Sequence, residues 1–146
     1  MSAPGRVLGV DLGDVRIGVA ISDDARRVAV PLGTVHVGRP PGELKAIAGL
    51  VRENDVTVVV VGLPLSLDGT RGPRASLAEA FADGLRAIVP VPVMLHDERL
   101  TTVEAERGLR AAGVSGRDRR AVVDAEAARI LLQAWLEIDR GPASPG

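Results

Sequence analysis

Asp11, Glu98 and Asp124 are the side chains in this sequence whose types and settings point to chemistry. Asp11 ends the apolar run Val7-Leu8-Gly9-Val10, and Gly13 follows in the segment GVDLGDVRIGVAISD. That pattern reads as strand, tight turn, strand. A carboxylate at the exposed end of a buried strand has shed part of its water, which is unfavourable unless a cation or a donor compensates. Glu98 follows the apolar stretch Val91 to His96, and Asp124 heads an apolar stripe with Ala128, Leu131 and Trp135. Three acids converging from distant segments offer hard oxygen ligands suited to Mg²⁺ or Mn²⁺. Without a cation they would repel one another and take up protons; a bound ion keeps them ionised. The chemistry this implies is metal-assisted cleavage of a phosphodiester, with no need of a Ser–His–Asp arrangement. Each acid also has an ordinary alternative: Asp11 as a turn former, Glu98 as the partner of Arg99 or another arginine, Asp124 as a helix N-cap.

Those acids need a scaffold. Strands are expected at Arg6 to Asp11, Arg16 to Ser22, Val28 to Val35, Val56 to Val61 and Val91 to His96. Pro31 suggests an edge position for the third. The unbroken run Val56 to Val61 suits a central strand covered on both faces. Helices are expected over about Pro41 to Asn54, from a Ser76/Glu79 capping box to about Ile88, from a Thr101/Glu104 capping box to about Gly113, and over about Val122 to Asp139. Early consecutive strands argue for antiparallel hairpins, and the later strand–helix alternation argues for parallel crossovers. The expected class is therefore α/β, a three-layer domain on a mixed sheet. The domain should span residues 6–140, with loose ends at 1–5 and 141–146.

The Gly- and Pro-rich loop from Gly62 to about Ala75 is long for so small a domain, and loops of that length are often functional. Its Gly69, Thr70, Arg71 and Arg74, together with Arg16 and Arg99, are candidates for holding a phosphate backbone. Asp68-Gly69 is a turn signal, Asp14 reads as a solvated turn residue, and His96 as a partly buried histidine. Arginine supplies nearly all the basic charge, Lys45 being the sole lysine, and its planar fork matches phosphate geometry.

With 146 residues, a net charge of −1 and no cysteine, the chain suits one domain and excludes disulfides, zinc–thiolate sites and thiol catalysis. Phe81 and Trp135 are its only aromatic residues, so a stacking platform for splayed-out bases is not available. No apolar signal segment or membrane-length run is present, which makes a cytoplasmic protein the default expectation.

Four segments, GVDLGDVRIGVAISD (9–23), VVGLPLSLDGT (60–70), DERLTTVEAE (97–106) and VDAEAARILLQAWL (123–136), resemble the YqgF family, also called RuvX. These are Holliday-junction-resolvase-like and pre-16S ribosomal RNA nucleases. The resemblance implies an RNase H-like fold with a five-stranded mixed sheet, the first three strands antiparallel, the first beside the fourth, and helices on both faces. It implies Asp11, Glu98 and Asp124 as catalytic and metal-binding acids, holding one or two Mg²⁺ or Mn²⁺ ions, about 3.5–4 Å apart if there are two. Asp11 would bridge them. Many RNase H-like nucleases carry an acid at the end of the fourth strand, where this chain has Gly62-Leu63-Pro64; Glu98 on the neighbouring strand would replace it. The implied partner is nucleic acid and no membrane. The implied activity is 5′-end processing of precursor 16S ribosomal RNA, with resolution of four-way DNA junctions as the alternative. A resolvase would act as a two-fold homodimer. A catalytically silent nucleic-acid-binding scaffold is the other alternative. A fragment of an actin-like phosphotransferase is disfavoured, because those proteins close a cleft between two such domains.

Overall fold

The computed structural model describes residues 3–38, 42–66, 68–100 and 116–139. The apolar runs form β1 (Arg6–Leu12), β2 (Arg16–Ser22), β3 (Ala29–His36), β4 (Val56–Leu63) and β5 (Val93–Asp97). Helix α1 spans Gly42–Glu53, α2 spans Pro73–Arg86, and a 3₁₀ turn at Glu98–Leu100 follows β5; α3 spans Gly116–Asp139. The sheet order is β3-β2-β1-β4-β5. β1 and β3 run antiparallel to β2, whereas β4 runs parallel to both β1 and β5. This is the mixed sheet expected from the strand and helix pattern, with Pro31 on an edge strand.

Alternation along β1 sorts its side chains between two cores. Leu8 and Val10 join Ile17, Val19, Val59 and Val61 beneath Ile47, Ala48 and Val51 of α1 and Ala78, Ala82 and Leu85 of α2. Val7 lies on the other face with Ala20, Val60 and Ala128, Leu132 and Leu136 of α3. β4 is therefore covered on both sides, which explains its unbroken apolar run. Helix α3 packs close to the sheet: a Cβ on Gly9 would lie 2.8 Å from the Leu132 Cβ. The Gln133 side chain extends this packing to the sheet edge, accepting from the Ala29 amide at 2.8 Å and donating to the Arg27 carbonyl at 3.1 Å.

Two helix starts differ from expectation. α2 begins at Pro73, not at a Ser76/Glu79 box; Gly72 is its N-cap and no side chain caps it. The fixed φ of proline favours the first helical position, while Glu79 pairs with Arg71 at 3.2 Å. α3 begins at Gly116 rather than near Val122. Its first residues are charged helix formers without an apolar stripe, so periodicity gives no sign of them. Asp124 consequently lies well inside α3 and is not an N-cap. The expected helix from Thr101 to Gly113 lies outside the described residues. Within the expected loose N-terminal end, Arg26 ties down the Gly5 and Pro4 carbonyls at 2.9 and 3.2 Å. Among the described residues, no helix is long and apolar enough to cross a membrane.

Candidate active site

The site is built where two strand positions carry no side chain. Asp11 pairs with Gly18 of β2. On its other side, the register that pairs Val10 with Val61 sets Gly62 of β4 beside it. A Cβ on Gly62 would lie 2.3 Å from Glu98 Oε1, and one on Gly18 would lie 1.9 Å from the Asp124 carbonyl oxygen. The space over Gly62 is thus filled by the Glu98 carboxyl, and that over Gly18 by the α3 backbone. These two close approaches bring the three acidic segments together around Asp11. Gly62 figures in the sequence through the family resemblance, as the place where Glu98 would stand in for an acid, and Gly18 does not, although a glycine inside an apolar strand is a signal of close approach.

Asp11 and Glu98 are hydrogen-bonded to each other. Burial pushes both carboxyls up, Glu98 to about 9. Burial is the largest cause for both, and the contact between them lowers Asp11 while raising Glu98 further. The charge of Asp124 raises Asp11 further, and Arg74 acts in the opposite sense on both members of the pair. Asp124 itself accepts from Arg16 Nε at 2.9 Å. Among the described residues, no three His, Cys, Asp or Glu side chains stand in a metal-holding arrangement. The expected three-acid ion site is thus assembled only in part. Burial disfavours the charged forms of Asp11 and Glu98, and Asp124 is paired with Arg16.

The donor set nevertheless suits a hard divalent cation. Two carboxyls already in contact present oxygens only, and a cation between them would offset the cost of burying their charge.

The six candidates for phosphate contact divide by partner. Arg16 holds Asp124, and Arg71 holds Glu79. Arg74 lies 3.5 Å from Asp14, and Arg99 grips Asp97 at 2.6 Å. Thr70 donates its hydroxyl to Asp68 at 2.7 Å, closing the turn at Gly69, where φ is +86°. A Cβ on Gly69 would be 3.5 Å from Arg99 Nη1, so Gly69, Thr70 and Arg99 share one patch. Arg16 and Arg74 flank the acids, whereas Arg71 turns to Glu79. His96 is buried with Nε2 unpartnered, and burial pulls its pKa down, against the opposing charge of Asp97.

Residues 5–138 match the sequence model of RuvX, a family described as Holliday junction resolvase. The chain belongs to the RuvX family. A relative from Anaeromyxobacter dehalogenans (strain 2CP-C), named "Putative pre-16S rRNA nuclease", is 54% identical over 132 residues, covering 90% of this chain and 96% of its own. One of the same name from Roseiflexus sp. (strain RS-1) is 45% identical over 139 residues, covering 95% and 99%. The fold is shared with Thermus thermophilus RuvC in complex with a Holliday junction substrate, at TM-score 0.57 and 17% identity over 93% of this chain and 96% of that one. It is also shared with the fowlpox virus resolvase in its junction complex, at TM-score 0.54 and 11% identity, covering 90% and 97%. The RuvX chain thus has the RNase H-like architecture of the junction resolvases.

The acid pair of this RuvX chain has a consequence for stability. In chelator, folded Glu98 keeps its proton to about 9, whereas the unfolded side chain loses it near 4.5. The contribution of Glu98 to stability should be fully present below 4.5 and be lost as pH rises toward 9, with a limiting slope of about 1.4 kcal/mol per pH unit. Urea unfolding midpoints between pH 5 and 9 check this, and Glu98→Gln should flatten the profile.

Proposed function

We propose that this chain is a divalent-metal-dependent endonuclease acting on precursor 16S ribosomal RNA at its 5′ end. The observation that carries the chemistry is the contact of the Asp11 and Glu98 carboxyls over Gly62, bordered by α3 at Asp124. The substrate assignment is supported by relatives at 45–54% identity that carry that name.

Asp11, Glu98 and Asp124 would hold the cation, Mg²⁺ or Mn²⁺, as one or two ions. When bound, it supplies an activated water and Lewis-acid stabilisation of the developing charge. The chain's own groups do the rest. Glu98 yields its proton as the pair becomes ionised. Arg74, whose charge already bears on both acids, positions the phosphate. Arg16 exchanges one oxyanion for another: a phosphate of the bound strand competes with Asp124 for its guanidinium, which frees the third carboxylate. Gly69, Thr70, Arg71 and Arg99 extend the track for the strand.

Arg16→Gln should therefore separate two affinities. Without nucleic acid, Asp124 is released and Mn²⁺ should bind a few-fold more tightly, read as a larger rise in melting temperature; binding of labelled RNA should weaken. Weaker Mn²⁺ binding in this variant would remove the exchange role of Arg16.

Cleavage of four-way DNA junctions is the second reading. It is favoured by the family description and by the junction complexes of the two structural neighbours, and it carries the expectation of a homodimer. The decisive experiment presents end-labelled precursor RNA and a labelled DNA junction with Mg²⁺, Mn²⁺ or chelator. Site-specific cut RNA with an intact junction is the expected result. Symmetric junction nicking with intact RNA would exchange the two readings, and cleavage indifferent to chelator would remove both.

A further inference from the structure

A cavity of about 440 Å³ opens beside the acid pair, with Gly62 and Glu98 in its wall. Its size lies within the range of small-molecule sites. Leu12, Ile17, Leu44 and Phe81 make it largely apolar. Leu77 also lines it while keeping 65% exposure, an apolar side chain left in water. Three carboxyl groups reach this lining, Asp14, Glu43 and Glu98; Asp14 faces Arg74 and Glu98 faces Asp11, whereas the Glu43 Oε2 is buried without a hydrogen-bond partner. A buried carboxylate oxygen with no donor is unfavourable, and rotation about the terminal torsion can turn it toward a ligand. Arg74 belongs to the same wall and acts on Asp11 and Glu98.

We propose that this cavity receives one unstacked guanine of the strand whose phosphate lies at the acid pair. The inference rests on the reading that a nucleic-acid strand crosses Asp11 and Glu98. The occupant must be flat and largely apolar and must present donors to a carboxylate. Guanine alone among the neutral bases sets two N–H donors, N1–H and the 2-amino group, side by side. Adenine and cytosine place an acceptor nitrogen next to their amino group, and uracil flanks its single N–H with two carbonyls. Unstacked bases are read in this way, by their Watson–Crick edge and by packing against apolar or aromatic side chains. Phe81 supplies the aromatic surface. A single ring in a cavity suffices for one base, although the chain has too few aromatics for a platform. The position of Arg74 between cavity and acid pair suits the phosphate that links the bound base to the cleaved bond.

The test uses the full chain in chelator and short fluorescein-labelled oligoribonucleotides with one central guanine, inosine, adenine or cytosine in a uridine background. Fluorescence anisotropy should show guanine bound about tenfold more tightly than adenine or cytosine, with inosine, which lacks the 2-amino group, between them. Glu43→Gln should shrink the preference to under about twofold, and Ala80→Trp, which fills the cavity from its α2 wall, should bring the guanine probe down to the adenine level. Both variants should keep the wild-type rise in melting temperature with Mn²⁺, which reports the acid site separately. Equal affinity for all four probes would overturn the proposal, as would a guanine preference that survives both substitutions. Loss of the Mn²⁺ response in the wild-type protein with the guanine preference intact would instead count against the metal site and leave the cavity standing.

Discussion

Asp11→Asn is expected to lower cleavage by about a thousandfold or more, because the proposed site loses the carboxylate that pairs with Glu98. The fold should survive. Asn keeps an oxygen able to accept from Glu98, and the substitution removes a charge that burial disfavours. The chelated variant should therefore be at least as stable as the wild type at neutral pH, while its melting temperature no longer responds to Mn²⁺. Single-turnover cleavage and thermal melts with and without the ion check both halves. Retention of cleavage to within tenfold would place the chemistry elsewhere, and retention of biological activity without cleavage would favour a binding scaffold.

Gly18→Ala and Gly62→Ala should have opposite signatures, though both add one methyl group beside Asp11. At Gly18 the new Cβ would sit 1.9 Å from the Asp124 carbonyl oxygen. No side-chain rotation relieves a clash with backbone, so α3 must lift off the sheet, at a cost of about 3 kcal/mol or more. At Gly62 the obstacle is the Glu98 carboxyl, 2.3 Å away at Oε1. That end of the side chain can swing aside, so stability should change by about 1 kcal/mol or less. The displaced ligand should nevertheless lower cleavage by about a hundredfold. Denaturation midpoints and rates measured on the same preparations separate the two. Full activity in the Gly62→Ala variant would mean that the Glu98 position over Gly62 is immaterial to the reaction.

What could be read from the sequence follows the range of the forces involved. The strand pattern, the antiparallel opening and the parallel return are properties of local periodicity, and they recur in the structure. Asp11 was legible because an acid ending an apolar run is anomalous in itself. Gly18 is not, since its meaning depends on which segment crosses above it, and Gly62 is legible only through the family resemblance, as the place where Glu98 stands in for an acid. The Arg16–Asp124 pair joins residues 108 positions apart, and periodicity carries no information about such partners. Each arginine of the expected phosphate track has a carboxylate neighbour, from Asp97 two residues before Arg99 to Asp124 far along the chain from Arg16. The start of α2 was misplaced because a plausible Ser–Glu box competed with a proline three residues earlier, and backbone geometry decided the matter.

Gln133 gives the sheet a property that its strand order alone would not. The primary amide of a glutamine has the same donor and acceptor as a peptide group, and here it engages Ala29 and Arg27 at the open border of β3. It therefore stands in for a sixth strand at that end, using a helix to do so. An uncovered border of this kind is a template for aggregation between molecules, and α3 withdraws the first rung of that template from foreign chains.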